Sequence, residues 1–399
     1  MGNRLKEIFR KDSFYKVFFL AVIAAGLAHG IYKGVLDNYL AEIVGMGEMD
    51  RGITEFFREM PGLLLVLILA LFYSFSAEKM YKLGATVALA GMIMLSVVPP
   101  LRGLVILSIF IYSLGEHIEL GMENTLTLNY SLPGKGGEAL GYQKAVYQVG
   151  TLVGYLIVIA VFAAFAKYRP FKVIFIASGV MLLVSLTFAS RMKGSSETDE
   201  TKRRFYFRKK FSKYYMLEVF YGARKQVFFT FGPYVLILLY GANAMVISTL
   251  FAVSAICAYF FAPLVGKIID RLGYKIVMIS DTLILVIVCF FYGFSHHLFP
   301  EKVAFIVCCF NYVLDSIISL ASMASNVYVQ DLSDDPDEMR ATISTGVSVN
   351  HLITVFIALF GGWIWHTVGV ETLFMISAAL GLCNSAYAAT INVEKDRLR

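Results

Sequence analysis

RMKGSSETDETKRRFYFRKKFSK, residues 191–213, divides a chain of 399 residues near its midpoint. It opens with Gly, Ser and Thr and runs into a cluster of Lys and Arg. Apolar runs lie on both sides of it. Before it they cover 14–38, 60–76, 83–99, 102–124, 140–166 and 171–190. After it they cover 215–240, 244–264, 274–295, 302–326, 344–365 and 370–390. A helix rises 1.5 Å per residue, so about 20 apolar residues cross the hydrocarbon of a bilayer. Most other connections are very short, which makes successive helices antiparallel. The expected fold is an all-α membrane protein of twelve transmembrane helices in two pseudo-symmetric six-helix bundles, 1–190 and 214–399, joined by a cytoplasmic basic linker, 191–213.

Composition agrees. Hydrophobic residues make up 58% and charged residues 16% of the chain, and the mean hydropathy is +0.69. Soluble proteins are roughly half apolar and about one quarter charged. An ordinary soluble enzyme, a disordered chain and a disulfide scaffold are excluded on these grounds. The five cysteines all sit in apolar runs without C-x-x-C spacing, which reads as helix packing.

The net charge of +6 does not indicate nucleic acid. With the N-terminus placed inside, 25 of the 35 Lys and Arg fall in inner segments and seven in outer ones; Lys33, Arg224 and Lys225 lie within apolar runs. Basic residues favour the cytoplasmic side, so both termini are expected there. The loop near 167–172 runs against this rule. The start, MGNRLKEIFRKDSFYKVFF, lacks a small-x-small cleavage site and is not expected to be a cleaved signal. Trp363 and Trp365 are expected near the outer interface.

Between the eighth and ninth runs stands GKIIDRLGYK, residues 266–275. Gly266 permits close helix approach, Asp270 suits a facing helix N-terminus or a cation, and Gly273 suits a tight turn. Arg271 and Lys275 anchor the cytoplasmic interface. This G-x-x-x-D-R-x-G-x-K turn resembles the signature of the major facilitator superfamily. The six-plus-six layout and mid-chain basic loop extend the resemblance to the whole chain. SFSAEKMYKLG, residues 74–84, is the matching loop of the first half, with Glu78 and Lys79 in place of the Asp-Arg pair. The resemblance implies that Gly266, Asp270, Arg271, Gly273, Lys275, Glu78 and Lys79 stabilise one conformation of an alternating-access cycle without touching substrate.

Ionisable groups at membrane depth are costly and mark cavities or partners. The seventh run holds Arg224 and Lys225 about ten residues, or roughly 15 Å, from its inner end. The first carries His29, Lys33 and Asp37 on one face at i, i+4, i+8, and Lys33 and Asp37 can pair. The fourth carries Glu116, Glu119 and Glu123 at i, i+3, i+7; the tenth carries Asp315. The resemblance implies that helices 1, 4, 7 and 10, the same four, line the central cavity.

Two readings of these charges stand side by side. Arg224 or Lys225 pairs with Asp315 or Glu116 and locks helices together. Alternatively Arg224 and Lys225, with His29, Gln226 and Asn350, bind an anionic substrate, while Glu116, Asp315 and Glu119 carry a coupling proton. RGITEFFREMPG, residues 51–62, reads as a solvated helix start or as an outer gate, and DLSDDPDEMR, residues 331–340, as a solvated inner turn. Gly150 and Gly154 read as packing, and Pro233 as a kink.

Relative to drug antiporters of the family, the fourth run has no deep Arg and the fifth no Gly-Pro step. SRMKGSSET does not match the P-E-S-P-R segment of its sugar porters. No phosphate loop, catalytic triad or H-x-x-x-H spacing appears, so no enzyme activity, cofactor or metal is expected. The expected function is secondary active transport of a small organic anion or zwitterion with protons, through a multi-pass protein of the cell membrane. An efflux antiporter of the same fold is the alternative, and a transporter-like sensor a more distant one. Expected partners are a small-molecule substrate, protons and the lipid bilayer, with no nucleic acid; the resemblance implies a monomer.

Overall fold

The computed structural model describes residues 5–72, 74–193 and 207–392. Linker residues 194–206 and the basic residues Arg4, Lys395, Arg397 and Arg399 lie outside the described residues. The described chain is helical apart from turns and one isolated bridge between Phe9 and Ser131.

The first half forms α1 (Tyr15–Glu42), α2 (Glu48–Leu71), α3 (Ala77–Val97), α4 (Arg102–Tyr130), α5 (Gly136–Phe165) and α6 (Phe171–Ser190). The second forms α7 (Ser212–Tyr240), α8 (Ala244–Leu272), α9 (Tyr274–Leu298), α10 (Glu301–Ile318), α11 (Met323–Leu332), α12 (Pro336–Thr367) and α13 (Val370–Ala389). A 3-10 turn, Ser319–Ser322, joins α10 to α11, so these two make one broken span and the described residues hold twelve spans. Ten of the spans are long and apolar enough to cross a membrane by composition. The other two, α2 and α7, carry the charges discussed below. Outward faces are apolar: Val97 is 69%, Phe310 66% and Tyr259 76% exposed, as lipid-facing side chains require.

Two compact units are present. The first comprises Met1–Gly45, Met60–Glu200 and Asn243–Ala252; the second comprises Met46–Glu59, Thr201–Ala242 and Val253–Arg399. Chain order alone would not assign Met46–Glu59 to the second unit or Asn243–Ala252 to the first.

Within the first unit, α1 and α5 cross at glycines. A Cβ on Gly26 would collide with the Tyr147 carbonyl, and one on Gly154 would stand 2.6 Å from the Ile31 nitrogen. Small residues let helix backbones touch, which replaces the hydrophobic driving force that lipid removes. Ser178 and Ser185, two turns apart on α6, donate to the Ala28 and Ala21 carbonyls of α1 at 2.8 and 2.9 Å. Ser248 donates to the Gly34 carbonyl at 2.8 Å, tying the start of α8 to α1.

Within the second unit, Tyr214, Tyr328, Val329 and Leu332 form a buried cluster. The carbonyl end of α13 is met by two lysines: Lys213 donates to the Thr390 carbonyl at 2.5 Å and Lys275 to the Ile391 carbonyl at 3.2 Å. In the first unit Lys82 likewise donates to the Met192 carbonyl past the end of α6, at 2.6 Å. A cation at a helix C-terminus satisfies carbonyls that have no partner in the helix. The two halves thus repeat one capping device. Of the two tryptophans, Trp363 is exposed while Trp365 is buried against Phe231.

Candidate functional site

In the first unit α1, α4 and α5 bring an imidazole and three carboxyls around one small cavity. Its lining includes His29, Tyr112, Glu116, Glu119, Glu123 and Tyr147. The i, i+3, i+7 spacing on α4 puts the three glutamates on one face, and all are buried. His29 Nδ1 meets Glu116 Oε1 at 2.5 Å. Gln143 of α5 donates to Glu123. Glu119 is 5% exposed, and its Oε1 has no hydrogen-bond partner among the described residues. His117 turns away and bonds to Ser113. The free space is about 10 Å³, close to what one water needs, so the cavity suits a proton or a water and not an organic solute. Lys33 and Asp37, higher on α1, pair at 3.2 Å as their spacing allows.

In the second unit the basic pair of α7 splits. Arg224 is 4% exposed and its Nη2 meets Asp281 Oδ2 of α9 at 2.5 Å. Lys225, the next residue and about 100° round the helix, is exposed. Both stand by the ring of Tyr221, at 5.1 Å for the guanidinium and 6.0 Å for the ammonium. The partner of Arg224 is therefore neither Asp315 nor Glu116. Asp315 makes no ion pair or hydrogen bond through its carboxylate among the described residues, yet both Arg224 and Lys225 act on it electrostatically. One turn beyond Asp315 the span breaks into its 3-10 segment, where Tyr221 donates to the Ser319 carbonyl at 2.8 Å. Such a break within a helix is a common hinge.

Asn350 of α12 donates to Glu218 of α7 through Nδ2, at 3.2 Å to Oε2. Gln226 donates to Glu55 Oε1 and Thr230 Oγ1, each at 3.0 Å. Both are thus held by protein partners, and Gln226 is buried.

The stretch 51–62 is not a solvated helix start. α2 begins at Glu48, Pro61 lies inside it, and Arg51 and Glu55 are fully buried. Arg51 Nη1 meets Glu55 Oε2 at 2.8 Å, Arg58 Nη2 meets Glu55 Oε1 at 2.6 Å and also meets Glu59, and Glu59 Oε2 meets His351 Nδ1 at 3.1 Å. Charges conceal this helical turn from a hydropathy reading. Buried charges persist where they are paired, and here each acid has a base.

The acidic loop 331–340 is also not simply solvated. Lys210 Nζ meets Asp334 Oδ2 at 2.7 Å and the buried Glu338 Oε2 at 2.6 Å, and Arg208 Nη1 meets Glu338 Oε1 at 3.2 Å. Burial lowers the Lys210 pKa, but the hydrogen bonds that its ammonium donates to Asp334 and Glu338 outweigh it and hold the ammonium above its ordinary value. The basic cluster before α7 is thereby clipped to the turn before α12.

Of the signature loop, Gly273 adopts φ 81° between α8 and α9, the left-handed turn that its sequence position requires. Gly266 approaches nothing: a Cβ there would meet no atom within 4 Å. Asp270 and Arg271 are exposed. Lys275 caps α13 as described. In the matching loop Glu78 is buried and accepts from Tyr130 at 3.2 Å, while Lys79 is exposed and its backbone N–H donates to the Ser76 cap. Asp281 and the Glu55–Arg58–Glu59–His351 chain escape a reading by run, although an Asp inside the apolar ninth run is a visible signal for the former.

The sequence profile of the Major Facilitator Superfamily matches residues 18–345 and 214–397. No curated protein sequence matches the chain. Among solved structures it is similar to the nucleoside transporter NupG (TM-score 0.73, 13% identity, 95% of this chain and 100% of that one). It is similar to a D-xylose-proton symporter (TM-score 0.74, 15% identity, 96% and 99%). A bacterial homolog of the human lysosomal transporter Spinster also matches (TM-score 0.70, 12% identity, 94% and 95%). At these identities the likeness concerns the fold.

Proposed function

Because the chain belongs to the major facilitator superfamily, we propose that it is a secondary active transporter that moves a small organic anion or zwitterion together with protons by alternating access. It is a multi-pass membrane protein of a transporter family. The finer reading rests on the charges. One observation carries the proton half: a buried carboxyl without a partner, Glu119, beside the His29–Glu116 pair in a cavity with room for about one water. A buried carboxyl that no cation neutralises is a group on which a proton can ride. His29 and Glu116 supply a second exchange point, and Asp315, electrostatically coupled to Lys225, a third.

The anion half falls to Lys225. Arg224 is already neutralised by Asp281, so the exposed ammonium next to it is the cation left for a substrate carboxylate or phosphate. His29, Gln226 and Asn350 then act by orienting neighbours. The clipped linker and the turn of Gly273 serve the conformational cycle, and the protein works as a monomer in the cell membrane with both termini inside.

The test is transport in proteoliposomes under an imposed pH gradient, once a substrate is found by thermal-shift screening. Glu119→Gln keeps the volume and removes the titrating group. Accumulation driven by the gradient should vanish while downhill counterflow persists. Unchanged proton flux with substrate in Glu119→Gln would remove Glu119 from the coupling role.

A further inference from the structure

At one end of the second unit, the last turn of α9 meets the first turn of α13. His296 Nε2 stands 3.0 Å and His297 Nε2 2.7 Å from the same oxygen, Glu371 Oε1. The two rings lie 3.9 Å apart between centroids. One donor atom from each of the three residues falls within 4.8 Å of the others. We propose that His296, His297 and Glu371 form a binding site for a transition-metal ion of the Zn²⁺ class.

The chemistry of the donor set points there. Two imidazole nitrogens and one carboxylate oxygen suit Zn²⁺, Co²⁺, Ni²⁺ or Cu²⁺; they do not suit Mg²⁺ or Ca²⁺, which take oxygen ligands. A tetrahedral zinc with bonds near 2.0–2.2 Å holds its donor atoms about 3.3 Å apart. The present spacings need to open by roughly half an ångström for the ion to replace the Nε2 protons. The atoms are pre-assembled: Glu371 is fixed at a helix start behind Gly369, and Gly293 brings α9 against its backbone, where a Cβ would stand 3.3 Å from the Glu371 Cα. The side chain of His297 is 58% exposed, so the fourth position opens to water and the ion exchanges freely. The known surroundings explain the effect to expect. α9 and α13 are already joined along their length, with Ser385 bonded to Thr282 at 2.5 Å. An ion here fastens two helices of one unit at the end that the Lys and Arg distribution assigns to the outside. It therefore stabilises that unit and does not gate the substrate path.

Histidine spacing along the chain gives no hint of this site, because the third ligand is far away in sequence. The test uses the full-length protein in detergent. ZnCl₂ should raise the unfolding midpoint and bind with one strong step by calorimetry, and MgCl₂ in excess should not compete. His297→Ala, which removes an exposed ring, and Glu371→Gln should each weaken that step tenfold or more. His366→Ala, at the separate His366–Glu48 pair, should leave it unchanged. Co²⁺ should show the visible bands of a tetrahedral complex in the wild type and lose them in His297→Ala. Equal zinc affinity in wild type, His297→Ala and Glu371→Gln, or an equal loss in His366→Ala, overturns the proposal. None of these readouts depends on transport, so failure here leaves the transport reading intact, and the converse holds.

Discussion

The polar interiors of the two units differ in how far they are balanced. In the second, Arg224 and Asp281 close on each other at 2.5 Å and Glu218 is held by Ser325 and Asn350, so that among its deep acids only Asp315 makes no ion pair or hydrogen bond through its carboxylate among the described residues. In the first, an imidazole and three carboxyls share a cavity but only His29 and Glu116 are paired with each other; Glu119 is left with a bare oxygen among the described residues. Two similar helical frames thus hold different chemistry. A balanced pair resists change, because removing either charge strands the other in a buried site. An unbalanced carboxyl invites a proton. The lesson is that charge at membrane depth alone does not mark a transport residue, and that the missing partner is the more telling sign.

The comparison breaks most readily at Arg224. Arg224→Ala strands Asp281 in a buried site and should destabilise the protein by about 3–5 kcal/mol, read as a fall in unfolding midpoint. Combining Arg224→Met with Asp281→Leu should restore most of that loss and keep uptake. If the double variant is stable and yet fails to transport, Arg224 binds substrate and the two interiors are more alike than described.

Lys225→Ala sharpens the contrast between neighbours on α7. The side chain is exposed and, beyond the Tyr221 ring and its electrostatic action on Asp315, makes no hydrogen bond or ion pair among the described residues. Stability should change by less than about 0.5 kcal/mol while uptake falls tenfold or more. Uptake within twofold of wild type would detach Lys225 from the anion.

The smallest effect is expected at the linker clip. Lys210→Ala should cost about 1 kcal/mol or less, as partly exposed ion pairs do. The folded-state pKa of Lys210 is raised, so its contribution is complete below the ordinary lysine value and fades as pH climbs through the folded value. The wild-type advantage over Lys210→Ala should hold from neutral pH to about pH 10 and shrink above it. An advantage that disappears between pH 7 and 9 would mean that the clip is not set by this lysine.

Much of this protein was legible in its residues. Twelve spans and the turn at Gly273 follow from hydropathy and glycine chemistry, and the structure keeps most of the boundaries to within a few residues, although α2 begins well before its expected run, α8 ends well after it and α12 begins well before it. The error at α2 has a plain cause: Arg51, Glu55, Arg58 and Glu59 lower the hydropathy of a helix whose charges cancel in place. The acidic loop before α12 misled in the same way, since Glu338 is buried by two bases more than a hundred positions away. Asp315 and Glu116 are legible as deep carboxyls, whereas Asp281, the partner of Arg224, sits in an apolar run whose hydropathy conceals it.

Residue order by itself determined the number of the helices and the approximate place of each along the chain. Lipid leaves the backbone no partner but itself, which a helix of about 20 mostly apolar residues supplies within its own stretch of chain, and that condition is local. Only the tertiary structure decided which side chains meet. Each residue turns a helix by about 100°, and in a bilayer the faces toward lipid and toward protein are both apolar. Hydropathy therefore leaves rotation and height of each helix open, and those two quantities give Arg224 to Asp281, Glu59 to His351, and Glu371 to a pair of histidines.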